Sequence, residues 1–337
     1  MHPMSKVRVA ILGCGGMAGG HARRFAQMPD VEIVALGDVT EAQVEAFIER
    51  NLADYQPKPP IFTDAAKMYA ETKPDGVVIV TPHTLHYEQG KQALEAGCHV
   101  LMEKPMVTSS DDAHALKALV EETGKVFIVG YNTPCTPALQ YLRKLIRENA
   151  LGKLEVVTGW ISQDWKRGTT GKWRQDPALS GGGQMYDSGA HLFNSLVWTV
   201  EQSVSEVHAF IDNCGTPVDI NGTANIRFAN GVLATILISG NCPAASGSMT
   251  YCFEDGRVDI DGWGGGWIKV FKRGEGELTD LPLGTERPLP ADNFIDAILG
   301  RAEPLTSPLN GVIQSELMDA IYESGRTGQV ARVKQRS

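Results

Sequence analysis

The sequence predicts an α/β domain with a parallel sheet covered on both faces, followed by an α+β domain built on a mainly antiparallel sheet. Three observations carry this. The apolar run Val7-Arg8-Val9-Ala10-Ile11-Leu12 breaks at once into the turn Gly13-Cys14-Gly15-Gly16-Met17-Ala18. Continuous apolar strands then alternate with helices to about residue 130, the pattern of a sheet buried on both faces. Beyond residue 150 the strands are short and joined by hairpin signals such as Asn230-Gly231.

The elements follow in order. A strand that runs into Gly-x-Gly-x-x-Ala and then a helix is the phosphate-binding turn of a dinucleotide site. Gly13 allows the tight turn, Gly15 leaves room for a pyrophosphate, and Ala18 permits close helix–strand packing. The free backbone N–H groups at the N-terminus of the helix that follows, with its partial positive charge, hold the anion. The second strand, Val31 to Gly37, ends in Asp38. An acid about twenty residues beyond the turn can bind both ribose hydroxyls of an adenosine. Val39 and Thr40 offer no cation for a 2′-phosphate, so the expected cofactor is NAD rather than NADP.

Helices are expected over 41–51, ended by Pro57-Lys58-Pro59-Pro60, and over 64–72, 86–96 and 110–123. Strands are expected at 77–80, 99–102 and 126–129. Ligands in such sheets bind at the carboxyl ends of the strands. That edge carries Thr81-Pro82-His83, Glu103-Lys104-Pro105 and Tyr131-Asn132. The domain boundary is placed at residue 130, giving domains 5–130 and 131–337 and leaving open whether the C-terminal helices pack on the first domain. In the second domain, strands are expected at 155–163, 204–211, 223–228, 233–239, 248–253, 258–260 and 267–271. Helices are expected at 184–200, 291–299 and 311–324.

The chain has 337 residues, 42% hydrophobic and 21% charged, with a formal net charge of -9. That is enough for two domains with large cores, and the charge offers no general attraction to nucleic acid or to an anionic membrane. The six cysteines show no Cys-x-x-Cys spacing, so free thiols are expected and no metal site. Met1 to Lys6 runs straight into the first strand, with no signal-peptide pattern and no bilayer-length apolar run, so a cytoplasmic location is expected.

The 184–200 segment divides its residues at helical spacing. Met185, Leu192, Phe193, Leu196, Val197 and Val200 form an apolar stripe. Gln184, Asp187, Ser188, His191, Asn194 and Ser195 lie opposite, a set that suits a hydrated cleft better than bulk water. The preceding Ser180-Gly181-Gly182-Gly183 is expected to let a ligand approach the backbone. Oxidation of an alcohol needs a group that takes the hydroxyl proton as hydride leaves the same carbon. A free lysine, with pKa about 10.4, is a poor base at neutral pH, whereas a histidine needs less adjustment. His191 is therefore the expected base, Lys104 stabilises the developing alkoxide, and Asp187 orients one of them. Trp165, Trp173 and Arg174, with Trp160 nearby, offer aromatic faces beside polar groups, as a sugar or cyclitol ring requires.

Taken together, these segments resemble the Gfo/Idh/MocA oxidoreductase family, which includes glucose–fructose oxidoreductase and inositol dehydrogenase. Thr81-Pro82-His83-Thr84-Leu85-His86 resembles the family's Thr-Pro-x-x-x-His loop beside the cofactor. Glu103-Lys104-Pro105 matches the Glu-Lys-Pro motif, whose lysine is catalytic in the family. Lys172-Trp173-Arg174 and Gly182-Gly183-x-x-x-Asp187-x-Gly189-x-His191 match the second-domain signature. Two positions depart: Asn194 stands where the family often has aspartate, and Tyr131-Asn132-Thr133-Pro134-Cys135 lacks the usual arginine. The resemblance implies a Rossmann domain and an α+β domain with a large open sheet that commonly forms a dimer or tetramer interface. It also implies NAD(P)-dependent oxidation of a secondary alcohol on a sugar, sugar derivative or cyclitol. It places Glu103, His86 and Asn132 with Gly13, Gly15, Gly16, Met17, Ala18, Asp38, Thr81, Pro82, His83 and Lys104 at the cofactor. Two alternatives use the same residues: glycoside cleavage with NAD recycled at the site, and a non-catalytic NAD-binding regulator.

Overall fold

The parallel strands of the first unit are buried along most of their length, and their order puts a crevice beside the glycine turn. The computed structural model describes residues 6–285 and 287–333. Ser5, the first residue of the expected first domain, lies outside them, as do Met1 to Met4, Glu286 and Lys334 to Ser337 of the second. The chain divides into two compact units, one of residues up to Val107 with Asp111–Gly130 and Leu289–Pro308, the other of the remainder.

The first unit runs β1 (Val7–Leu12), α1 (Ala18–Ala26), β2 (Val31–Gly37), α2 (Glu41–Asn51), β3 (Ile61–Phe62), α3 (Ala65–Thr72), β4 (Gly76–Ile79), α4 (His86–Glu95), β5 (His99–Met102), α5 (Ser110–Thr123) and β6 (Phe127–Val129). The sheet is parallel, in the order β3-β2-β1-β4-β5-β6. Strand order reverses between β1 and β4, so the carboxyl ends of those strands frame the ligand crevice of a doubly wound fold. Val9, Ile11, Ile33, Leu36, Val78 and Leu101 fill the core. The two-residue edge strand β3 was not foreseen, because so short a run leaves no periodicity. Thr40 and Asp64 cap α2 and α3 by accepting the N–H groups of Gln43 and Lys67.

The second unit continues with α6 (Pro137–Arg147), β7 (Leu154–Ser162), α7 (Trp165–Thr169), α8 (Pro177–Ser180), α9 (Gly189–Val200), β8 (Val204–Asp212), β9 (Asn221–Phe228), β10 (Leu233–Ser239), β11 (Ser246–Phe253), β12 (Gly256–Ile260), β13 (Ile268–Lys272) and β14 (Gly276–Leu278). Next, α10 (Pro290–Ile298) belongs to the first unit, where Phe294 packs against Gly76. The chain closes with α11 (Pro308–Thr327) and β15 (Ala331–Arg332). Nine strands are ordered β14-β13-β12-β11-β7-β10-β9-β8-β15, and only the β7–β10 pair is parallel. Strands β9 and β10 alternate buried and exposed residues, so one sheet face is covered and the other is open. Leu192, Phe193, Leu196 and Val197 of α9 pack in one core with Val157, Ile236 and Tyr251 of the covered face. Trp160, Phe210, Leu233 and Leu237 stand on strands as exposed apolar side chains. No described helix is long and apolar enough to cross a membrane.

Two expectations about the 184–200 segment are corrected. The helix begins at Gly189, and 184–188 form a turn. The N–H groups of Gly183 and Met185 are taken by the side chain of Asp219, and Gly189 donates to Gln184 five residues back, so no regular helical ladder forms there. The supposed hydrated face is largely interior: Gln184, Asn194 and Ser195 are buried. Asn194 donates to Gln314 of α11, and Ser195 donates to the Gly262 carbonyl. A polar stripe can sit in a core when neighbouring elements supply its hydrogen bonds.

Candidate active site

In the first unit, the backbone at Gly13 has φ +93°, and a Cβ there would lie 2.5 Å from the Val80 carbonyl oxygen. Only glycine fits, for two independent reasons. Gly15 and Gly16 are different: they are exposed, and nothing lies within 4 Å of where a Cβ would stand. Helix α1 begins after Met17 with no side-chain cap and no acidic residue in its first turn. An open glycine cradle at an uncapped helix N-terminus fits the pyrophosphate of a dinucleotide.

Asp38 is fixed at the end of β2. One carboxylate oxygen accepts the Cys14 N–H at 2.6 Å and the Gln43 amide at 2.9 Å, and the other accepts the Val39 N–H. It is thus tied to the glycine turn, as the ribose ligand of a dinucleotide would be. Burial, with the Asp38 charge added, pushes the Cys14 thiol up to about 12, so this cysteine is a neutral wall of the turn.

The other predicted residues of this unit lie on the same strand ends. Thr81 donates to Gln89, Pro82 is half-buried, and His83 is buried in the short helical turn that follows. His86 is fully buried, with its two ring nitrogens 2.8 Å from the Pro105 carbonyl oxygen and 3.0 Å from that of Thr81. It therefore links the Thr81 loop to the lysine turn. Burial pulls its pKa below the ordinary value, against those carbonyls. Lys104 is half-buried just past β5, and its N–H donates to the Glu103 carboxylate. Glu103 itself is buried, and its other oxygen lies 2.9 Å from Nε2 of His21 on α1. His21 was not singled out from the sequence. Its signal was its place four residues beyond the turn Gly13–Met17, facing inward with Ala18, Ala22 and Phe25.

In the second unit, Asp187 is 6% exposed and follows the Gly181-Gly182-Gly183 bend. One of its carboxylate oxygens accepts the Trp165 indole N–H at 2.7 Å and the Arg174 Nε–H at 2.9 Å. Trp165 is itself buried against Val218 and Ile220. Arg174 also lies 4.6 Å over the ring of half-buried Trp173. His191, half-buried one turn of chain beyond Asp187, meets the Tyr131 ring edge-on at 5.7 Å. Asn132 is exposed in this unit. The glycine bend does not open the backbone to a ligand, which corrects the expectation for it. A Cβ on Gly181, Gly182 or Gly183 would collide with Thr108, Tyr322 or Asp219 respectively.

Residues 7–131 match the oxidoreductase family with an NAD-binding Rossmann fold, and residues 139–266 match the GFO/IDH/MocA C-terminal domain. The chain is 26% identical to the D-glucoside 3-dehydrogenase of Escherichia coli (strain K12), covering 96% of this chain and 97% of that protein. It is also 26% identical to the levoglucosan dehydrogenase of Pseudarthrobacter phenanthrenivorans, covering 74% of this chain and 71% of that protein. Among solved structures, the WlbA dehydrogenase from Bordetella pertussis, in complex with NADH and UDP-GlcNAcA, superposes with a TM-score of 0.85. It is 25% identical, with 98% of this chain and 100% of that chain covered. The cradle at Gly13 to Ala18 is thus that of an NAD-binding Rossmann domain, and the chain belongs to the GFO/IDH/MocA family of oxidoreductases.

Proposed function

We propose that the protein is an NAD-dependent dehydrogenase that oxidises a secondary alcohol of a sugar, sugar derivative or cyclitol. The observation that carries this is the setting of Asp187: a buried carboxylate held by Trp165 and Arg174, four residues from His191. A buried charge is costly unless it is paired, and here it is paired in a way that fixes its orientation. The sugar dehydrogenases among the relatives support the substrate class, and Trp173 with Arg174 supplies a face on which a polar ring can lie.

Bound NAD supplies the acceptor for hydride. The chain's own residues handle the proton and the charge. His191 accepts the hydroxyl proton, and Asp187 holds the local geometry and favours the protonated imidazole. The Lys104 ammonium stabilises the oxygen as it becomes anionic. The preference for NAD over NADP rests on Asp38, followed by exposed Val39 and Thr40, neither of which carries a positive charge. We further propose a homodimer or homotetramer formed through the open sheet face, where Trp160, Phe210, Leu233 and Leu237 are exposed.

The test is direct. Purified protein with NAD and a panel of sugars, glucosides and inositols is expected to form NADH. Release of an aglycone without net NADH would replace this reading by redox-neutral glycoside cleavage. Tight NAD binding with no turnover on any polyol would replace it by a regulatory role.

A further inference from the structure

We propose that Asp219, working with Tyr322, is the positioning residue that sets Asp187 in place; this deepens the dehydrogenase reading and rests on it. Asp219 is 3% exposed and lies just before β9. One of its carboxylate oxygens accepts the Gly183 N–H at 2.6 Å and the Tyr322 hydroxyl at 2.5 Å. The other accepts the Met185 N–H at 2.8 Å, and its backbone carbonyl accepts the Gln184 N–H at 2.9 Å. Three consecutive amides of the turn therefore end on a single residue.

The anchored turn holds Asp187 directly, because the Gly183 carbonyl accepts the Asp187 N–H at 3.0 Å. A second route starts from the same segment. Val218 and Ile220, which flank Asp219, form the wall against which Trp165 packs, and the Trp165 indole N–H donates to the Asp187 carboxylate. One short segment thus fixes both the backbone and the side chain of Asp187. Tyr322 completes the anchor. Its ring stacks on Tyr186 at 5.5 Å, and its hydroxyl fills the space that a side chain on Gly182 would need. Glycine at 182 and 183 is therefore explained by this anchor.

The test compares Asp219→Asn and the milder Tyr322→Phe with the unmodified protein. NADH binding is followed by fluorescence, steady-state kinetics with the best sugar, and the Trp165 indole resonance by 1H–15N NMR, assigned by its loss in Trp165→Phe. Asp219→Asn is expected to lower kcat about 10–100-fold, as a misplaced catalytic group does. The sugar KM should move by less than about threefold, and NADH affinity by less than about twofold. The Trp165 resonance should shift or broaden, with Tyr322→Phe showing a smaller change in the same direction. Should Asp219→Asn fail to fold, Tyr322→Phe carries the test by itself. An unmoved Trp165 resonance, or a moved one with kcat intact, overturns the proposal. If the unmodified protein turns over no sugar, the dehydrogenase reading fails, and the Trp165 resonance then decides whether Asp219 holds Asp187.

Discussion

Nε2 of His21 lies 2.9 Å from the Glu103 carboxylate, and both side chains are buried. The pair joins the helix that follows the glycine turn to the residue that precedes Lys104. Burial alone would raise the Glu103 carboxyl, but the hydrogen bond and charge of His21, with Lys104, bring it below the ordinary carboxylate range. A carboxyl with a lowered folded-state pKa contributes stability above its unfolded value, about 4.3, and loses it as pH falls through the folded value. Glu103→Gln is therefore expected to cost roughly 1–3 kcal/mol near neutral pH. The gap in melting temperature from the unmodified protein should narrow in acid. A gap that widens on acidification would contradict the assignment.

The glycines of the first turn should separate into two classes. Gly13→Ala forces a Cβ into the Val80 carbonyl at a positive φ and is expected to destabilise the protein by about 1–3 kcal/mol. Gly15→Ala meets no protein atom within 4 Å, so its melting temperature without cofactor should be unchanged while NADH affinity falls. Thermal melts with and without NADH decide this. An NADH-induced rise in melting temperature for Gly15→Ala equal to that of the unmodified protein would exclude its role in the cradle.

Asp38→Ala removes an acceptor that both orders the turn through Cys14 and faces the expected ribose. Loss of hydrogen bonds to a charged group, worth about 1.5–3 kcal/mol, should weaken NAD binding roughly 10–100-fold. NADP binding should change less. A protein that binds the two cofactors equally before mutation would refute the preference.

Lys104→Ala is expected to lower kcat by about 100-fold or more through lost stabilisation of the oxyanion, with NADH still bound. His191→Asn should lower it by about 100–10,000-fold and abolish the acid limb of the pH–rate profile. Turnover that survives Lys104→Ala would remove the lysine from the mechanism.

On the open face of the second sheet, Trp160 is 40% exposed and Leu237 is 43% exposed. Converting both to aspartate should leave the fold intact and reduce the assembly to monomers by light scattering. An unmodified protein that is already monomeric would overturn the proposed assembly.

Much of this could be read along the chain. The glycine turn, Asp38, the alternation of apolar strands with helices and the hairpins of the second half are local patterns, set by residues a few positions apart. The Glu103-Lys104-Pro105 and Asp187-to-His191 motifs were legible for the same reason. The 184–188 turn was misread as helix because helical spacing in sequence does not reveal that another residue takes the amides. The polar side of α9 was misread as hydrated because its buried partners, such as Gln314, lie on α11, 120 positions away from Asn194.

What the sequence determined by itself was the class of fold, the dinucleotide cradle and the presence of residue types able to move a proton. Tertiary structure alone decided what holds those residues still. Glu103 meets His21 across 82 positions, Asp187 meets Trp165 across 22, and Asp219 meets Tyr322 across 103. The physical reason is burial. Once water is excluded, each charged or polar group must find a partner wherever the fold brings one, and that choice is not encoded in local spacing.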